Sequence, residues 1–188
     1  MGNRTCPVWM GYLLASPVRK LFHNPNKIIE EQVSPGMRVL DVGCAMGFFS
    51  LPMARRVGPS GKVVCVDIQE RMIRKLQERA RKAGLSERIE ARVCNSDSLA
   101  LDDMNRTFNF ILAFAVVHEI TDNKRFFEQI WRVTAPYGRV LFVEPKGHVS
   151  EKEFEKCLSQ AEDAGFDSEE YLKISKSHAV LMEKRARD

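Results

Sequence analysis

Three carboxylates and two imidazoles fall where strands should end: Asp41, Asp67 and Asp97, then His118 and His148. Asp41 lies in Val39-Leu40-Asp41-Val42-Gly43-Cys44-Ala45-Met46-Gly47, an apolar strand that runs into a glycine turn and then a helix. It precedes Gly43 by two residues, at the strand's carboxyl end, where an open α/β sheet presents its ligand. A carboxylate there suits a cofactor with positive charge. A dinucleotide would set its anionic pyrophosphate against this turn and needs Gly-x-Gly-x-x-Gly, whereas Ala45 and Phe48 fill the second and third glycine positions. Asp67 closes Val63-Val64-Cys65-Val66-Asp67 about two dozen residues on, the place of a ribose-binding acid. Asp97 and Ser98 follow a third strand, where the acid is either a ligand contact or a turn cap.

The fourth strand ends in His118-Glu119 and the fifth in Glu144-Pro145-Lys146-Gly147-His148. A neutral histidine at a strand's carboxyl end is a candidate base or substrate orienter near neutral pH. Imidazole, carboxylate and the Cys6 thiolate also suit a divalent transition metal, although no His-x-x-x-His or Cys-x-x-Cys spacing supports one. The third reading is a hydrogen-bonded loop.

These residues need a scaffold, and the chain alternates apolar strand-like runs with amphipathic helical stretches. The runs are Arg38 to Val42, Lys62 to Ile68, Ile89 to Cys94, Phe108 to Val117 and Arg139 to Val143. That alternation predicts a parallel sheet with helices on both faces. Met72, Ile73, Leu76, Ala80 and Ala83 share one helical face before Gly84, and a helix over Asp122 to Val133 buries Phe126, Phe127, Ile130 and Trp131. Ser150 and Glu153 have capping-box spacing for a helix that Gly165 stops. Tyr171 to Ser175 and His178 to Lys184 read as an antiparallel hairpin at the sheet's end, and Lys184 to Asp188 as a frayed tail. The first 35 residues carry Trp9, Tyr12, Leu13, Leu14 and Phe22, then Asn24-Pro25 as a cap and first turn. They read as a helical preface, either packed on the sheet's helices or acting as a lid. Residues 36–188 form the main domain.

Composition narrows the function. A length of 188 residues fits one domain with a real core, and the net charge of +4 comes from mixed signs, so an anionic partner is permitted but not required. The five cysteines are scattered, as expected of small buried hydrophobes in a reducing compartment. The apolar run Phe110 to Val117 is far shorter than the roughly 20 residues of a membrane span. A cytoplasmic protein is expected, with no membrane partner.

VLDVGCAMG, the strand ending in Asp67, the Asn95-Ser96-Asp97-Ser98-Leu99 segment and the histidine-bearing fourth strand together resemble the class I S-adenosylmethionine-dependent methyltransferases. The small branch similar to quinone-biosynthesis and arsenite methyltransferases is nearest, over roughly residues 36 to 184. Ala45 replaces the middle glycine of the family loop, and Asn109 stands where the family has an acid. The resemblance implies a doubly wound, Rossmann-like, mostly parallel sheet of seven strands, the last antiparallel. Strands four and five would then be neighbours, bringing His118, Glu119, Glu144 and His148 together. It further implies S-adenosylmethionine bound by Asp41, Gly43, Cys44, Gly47, Asp67, Ile68, Asp97 and Ser98. Asp41 would face the amino group, Gly43 and Gly47 would let backbone approach the methionine part, Asp67 would take the ribose hydroxyls and Asp97 the adenine amine.

Methyl transfer is an in-line displacement at a sulfonium carbon, so positioning and a base that activates the nucleophile supply the catalysis. The expected acceptor is a small molecule, seated among residues 1–22, 118–122 and 146–149, with Trp9, Tyr12 and Phe49 available for stacking. Metal- or thiol-assisted transfer to a metalloid or thiol is the alternative. RNA methylation is disfavoured, because the exocyclic-amine motif Asn/Asp-Pro-Pro-Tyr/Phe is replaced by Ala115-Val116-Val117-His118. A non-catalytic S-adenosylmethionine-binding module is the remaining reading. Oligomeric state is not legible.

Overall fold

The computed structural model describes residues 24–185. In chain order the elements are α1 (Pro25–Ile29), β1 (Arg38–Val42), α2 (Ser50–Arg56), β2 (Lys62–Asp67), α3 (Glu70–Lys82), β3 (Ile89–Val93) and β4 (Phe108–Phe114). Then come α4 (Asn123–Val133), β5 (Thr134–Pro145), α5 (Glu151–Ala164), β6 (Phe166–Tyr171) and β7 (Ser177–Lys184). The seven strands form one sheet in the order β3-β2-β1-β4-β5-β7-β6. All neighbours are parallel except β7, which runs antiparallel to both β5 and β6. Chain order reverses between β1 and β4, and such a switch point opens a crevice at the carboxyl ends of the strands.

Alternation along each strand sends side chains to two apolar layers. Val39, Cys65 and Leu112 pack with Met53, Ile73 and Leu76 under α2 and α3. Leu40, Val64, Ile111 and Phe142 pack with Phe127, Ile130, Phe154 and Leu158 under α4 and α5. Phe127, Phe142, Phe154 and His178 make successive ring contacts across the second layer. Each fully buried phenylalanine there contributes roughly 1.5–3 kcal/mol by leaving water.

Local chemistry sets the helix ends. Asn24 Oδ1 accepts the N–H of Asn26 at 3.1 Å, with Pro25 as the first helical residue. Asp122 caps α4 through the N–H of Arg125, Ser150 and Glu153 form a reciprocal capping box on α5, and Gly165 ends that helix at φ 114°.

Three strands depart from the sequence reading by more than a residue at an end. The fourth strand stops at Phe114 instead of Val117. Ala115 turns left-handed at φ 56°, and Val117–Glu119 forms a 3₁₀ turn. The fifth strand begins at Thr134, so the Pro136-Tyr137-Gly138 turn lies inside it as an irregularity between the Phe108–Thr134 and Phe110–Arg139 pairs. Proline lacks the ladder donor and Tyr137 has φ 58°, which accounts for the break. The sixth strand is Phe166–Tyr171, ahead of the expected Tyr171 to Ser175, so residues 172–176 are the connection. It is an edge strand in which only Phe166 is buried, and its acidic residues hide the strand pattern. Lys184, expected to open a frayed tail, instead ends β7 and is buried, its Nζ donating to the Trp131 and Thr134 carbonyls. Cys6, the lid reading of Trp9, Tyr12, Leu13, Leu14 and Phe22, and residues 186–188 lie outside the described residues. Among the described residues no helix is long and apolar enough to cross a membrane.

Candidate functional site

The register places Asp41 level with Cys65 on β2 and Leu112 on β4, one residue before the end of β1. Asp41 is buried, and its Oδ2 accepts the hydroxyl proton of Ser50 at 2.5 Å. Ser50 opens α2, so the glycine loop and its helix fix the acid together. That positioning contact is invisible in the sequence, where Ser50 reads only as the start of a helix.

Gly43 and Gly47 both have left-handed backbones, at φ 68° and 82°. A Cβ on Gly43 would stand 2.7 Å from Val116 Cγ2, and one on Gly47 would stand 2.4 Å from Leu76 Cδ1. Protein side chains therefore already require these glycines. Ala45, in the middle position, adopts φ 45° in spite of its Cβ. Arg79 reaches from α3 to donate to the Met46 carbonyl, and burial lowers its guanidinium pKa. The Cys44 side chain turns into the core, and burial pushes its thiol well up, aided by the adjoining Cys65. Its Sγ lies 3.7 Å from the Ala45 carbonyl, and its N–H donates to Val66 O.

Asp67 joins two ends of the site. Its Oδ2 accepts the Ala45 N–H at 2.9 Å and its Oδ1 the Gln69 N–H at 2.8 Å. Burial raises its carboxyl above the ordinary 3.8, against those two hydrogen bonds. A carboxylate offers about four lone-pair sites, so one acceptor position remains on each oxygen after these bonds. Ile68, directly after it, and Val93, its register partner, are exposed apolar side chains at the carboxyl edge. In the next loop Asn95 Oδ1 accepts the N–H groups of Asp97 and Ser98, so Asn95 is the turn cap. Asp97 is exposed, and Ser98 Oγ accepts the Ala100 N–H. Gln129 on α4 pins the turn by accepting from Leu99 N and donating to Asp97 O.

Beyond the switch point, β4 and β5 are neighbours as expected, and Glu144 meets His118. Glu144 is buried, with Oε1 accepting the Val117 N–H at 2.7 Å and the His118 N–H at 3.3 Å. Its Oε2 lies 2.5 Å from His118 Nδ1. The hydrogen bond to Glu144 raises the His118 pKa above 6.5, opposed by desolvation. In the neutral tautomer that donates Nδ1–H to this anchored carboxylate, the Nε2 lone pair is left over. The same bonds explain the 3₁₀ turn, since Glu144 takes the amides that a longer strand would have paired.

His148 is exposed, with its ring 5.6 Å from that of His118 at an interplanar angle of 67°. Glu119 stands at the rim. Desolvation raises its carboxyl above the usual 4.5, with Asp67 and Glu144 adding to the rise and His118 opposing it. Val116, at the start of this turn, stands over Gly43, so the His118 turn adjoins the glycine loop. Phe49, which could have stacked on an acceptor or packed in the core, is buried against Phe48 and Phe114. Asn109 accepts the Arg38 N–H at 2.9 Å, which gives this departure a structural role. Among the described residues no three His, Cys, Asp or Glu side chains are grouped to hold a metal.

The donor set fits S-adenosylmethionine. A buried acid at the glycine turn suits its ammonium, the two spare acceptor positions of Asp67 suit vicinal ribose hydroxyls, and Ile68 and Val93 offer apolar surface to a base.

Known proteins agree. The ubiquinone/menaquinone biosynthesis C-methyltransferase UbiE of Pasteurella multocida is 31% identical over 112 residues, 60% of this chain and 41% of that protein. UbiE of Escherichia coli O1:K1 is 32% identical over 132 residues, 70% of this chain and 50% of that protein. The chain therefore spans about half the length, or less, of these curated relatives. The crystal structure of an S-adenosylmethionine-dependent methyltransferase from Aquifex aeolicus superposes with TM-score 0.84 at 26% identity, covering 95% of this chain and 99% of that one. A sequence model described as a methyltransferase domain matches residues 33–184, and the chain belongs to that family, in its class I S-adenosylmethionine-dependent form.

Proposed function

We propose that this chain transfers a methyl group from S-adenosylmethionine to carbon of a small hydroxylated ring of the quinone-nucleus type. The carrying observation is the His118–Glu144 pair, on the turn whose Val116 stands over Gly43 of the glycine loop. The C-methyltransferase relatives support carbon as the acceptor atom. The bound cofactor supplies an electrophilic methyl on a sulfonium.

In this reading Asp41 receives the cofactor ammonium, Asp67 the ribose hydroxyls and Asp97 the adenine amine, with Ser98 and the backbones of Gly43, Cys44 and Gly47 shaping the cleft. Ile68 covers the base. His118 Nε2 withdraws the acceptor hydroxyl proton, Glu144 holds the ring in the productive tautomer, and Glu119 and His148 border the acceptor. Making the acceptor anionic only as it reacts is where a base gains most. A cytoplasmic location is part of the proposal, supported by the free thiols of Cys44, Cys65, Cys94 and Cys157.

The test has two parts. Calorimetric titration of the full chain with S-adenosylhomocysteine should show micromolar binding, and its absence rejects the cofactor site. Incubation with S-adenosylmethionine and reduced hydroxylated rings, followed by mass spectrometry, should yield a C-methylated product. Methylation only of oxygen, or only of amines or thiols, rejects the acceptor assignment.

A further inference from the structure

Methylating a ring carbon requires two proton removals from the acceptor, whereas methylating oxygen requires one. In the first, the hydroxyl proton leaves so that the ring becomes a strong carbon nucleophile. The ring carbon then bonds to the methyl as the sulfonium carbon–sulfur bond breaks. The sulfur keeps that bonding pair and becomes a neutral thioether, and the ring becomes a dienone whose methylated carbon still bears hydrogen. In the second removal that hydrogen leaves as a proton, its bonding pair restores the aromatic ring, and the oxygen recovers a proton. One proton is released overall.

A single imidazole is charged after the first removal and must give that proton back, to the oxygen or to solvent, before it can take the ring proton, whereas a second, neutral imidazole can take it at once. The end of the sheet holds two. His118 is partly sheltered and tethered to the buried Glu144, whereas His148 is exposed on the β5–α5 loop. Their rings are in edge-to-face contact, with centroids 5.6 Å apart, so the pair is close enough together to serve a hydroxyl and the ring carbon next to it. The His148 main chain is held by its N–H bond to Pro145 O at 2.9 Å, and that of Val149 by one to the same carbonyl at 3.0 Å. The second imidazole is therefore presented on an ordered turn next to the first.

We propose that the two histidines divide the work. His118, oriented by Glu144, takes the hydroxyl proton and later returns it to the same oxygen. His148 takes the ring proton and passes it to water. The inference rests on the proposed C-methylation, and it makes His148 a catalytic residue of the second half-reaction only. Tethering suits His118, which must hold its proton while the carbon–carbon bond forms. Exposure suits His148, which must lose its proton each turnover.

The experiment uses 1,4-dihydroxynaphthalene, kept reduced under anaerobic conditions, with hydrogen or deuterium at its 2 and 3 positions. The full chain should C-methylate it with no primary isotope effect, since loss of the ring proton follows the slow step. His148→Asn should slow turnover by about 10²-fold, the typical share of one acid–base group, and should acquire a normal primary isotope effect. His118→Asn should also be slow but show none. S-adenosylhomocysteine titration should be unchanged in both variants, which separates a catalytic loss from a damaged cofactor site. If His148→Asn keeps its rate, or slows without an isotope effect, the division of labour is overturned while C-methylation stands. If the wild-type chain makes only an ether or no product, the acceptor assignment and this inference fall together, and the titration shows whether the cofactor site survives them.

Discussion

The Asp67 carboxylate accepts the backbone N–H of Ala45 across 2.9 Å, which makes the acid ending β2 and the loop leaving β1 one structural unit. Its other oxygen holds Gln69 at the start of α3. On the proposed cofactor placement, Asp67→Ala removes both the tether of the loop and the acceptor for the ribose hydroxyls. Hydrogen bonds to a charged group are worth about 1.5–3 kcal/mol each, so S-adenosylhomocysteine affinity should fall by roughly 100-fold or more. Calorimetry checks this, and unchanged affinity would move the ribose site elsewhere.

The Glu144–His118 pair predicts a pH profile. Because Glu144 raises the His118 pKa above 6.5, the neutral base accumulates only as pH rises through that higher value, and kcat/KM should climb there. In Glu144→Gln the negative charge is gone, so the acid limb should move down toward 6.5 while the plateau drops from lost orientation. The linkage to stability has the opposite pH dependence. A raised histidine pKa contributes stability that is complete below 6.5 and is lost as pH rises through the folded value. The gap in Tm between wild type and Glu144→Gln should therefore narrow above that range. A limb that stays in place would remove Glu144 from the proton path.

Much of this site was legible because its residues sit on strands whose apolar runs are unmistakable. Asp41 lies next to the end of such a run and Asp67 ends one, and His118 and Glu144 converge because β4 and β5 are neighbours. Helix caps at Asn24 and Ser150 were legible because capping acts over three residues. What escaped depends on distant partners. Nothing local shows that Arg79 meets the Met46 carbonyl, 33 residues away, or that Val116 fills the space above Gly43. The run to Val117 looks like unbroken strand, and only Glu144 explains its early end. β6 escaped for the reverse reason, since an acidic edge strand buries too little to show alternation.

Backbone strain in the loop yields a pair of stability predictions. Ala45 holds φ 45°, a conformation that a side chain makes about 1–2 kcal/mol less favourable. Part of any relief is returned through glycine's freer unfolded chain, so Ala45→Gly should stabilise by about 0.5–1 kcal/mol in urea denaturation. Gly43→Ala should do the reverse, losing about 2 kcal/mol or more, because its φ is 68° and Val116 stands 2.7 Å from the new methyl. Equal and small effects at both positions would contradict the loop geometry.

Arg79 supplies the last prediction, because it acts on the loop without standing among the proposed cofactor contacts. Its guanidinium is half-buried, donates to the Met46 carbonyl, and holds the turn between Ala45 and Gly47 against α3. Losing one charged hydrogen bond should leave the fold intact while the turn samples other conformations, each of which misplaces the backbone around the cofactor. Arg79→Ala should weaken S-adenosylhomocysteine about tenfold, in keeping with a bond to a charged donor, and raise the KM for S-adenosylmethionine with kcat little changed. Arg79→Lys should recover only part of the affinity, since a point ammonium lacks the guanidinium's fixed fork. A fall in kcat at unchanged KM would show that the arginine acts on the reacting groups instead of on the loop.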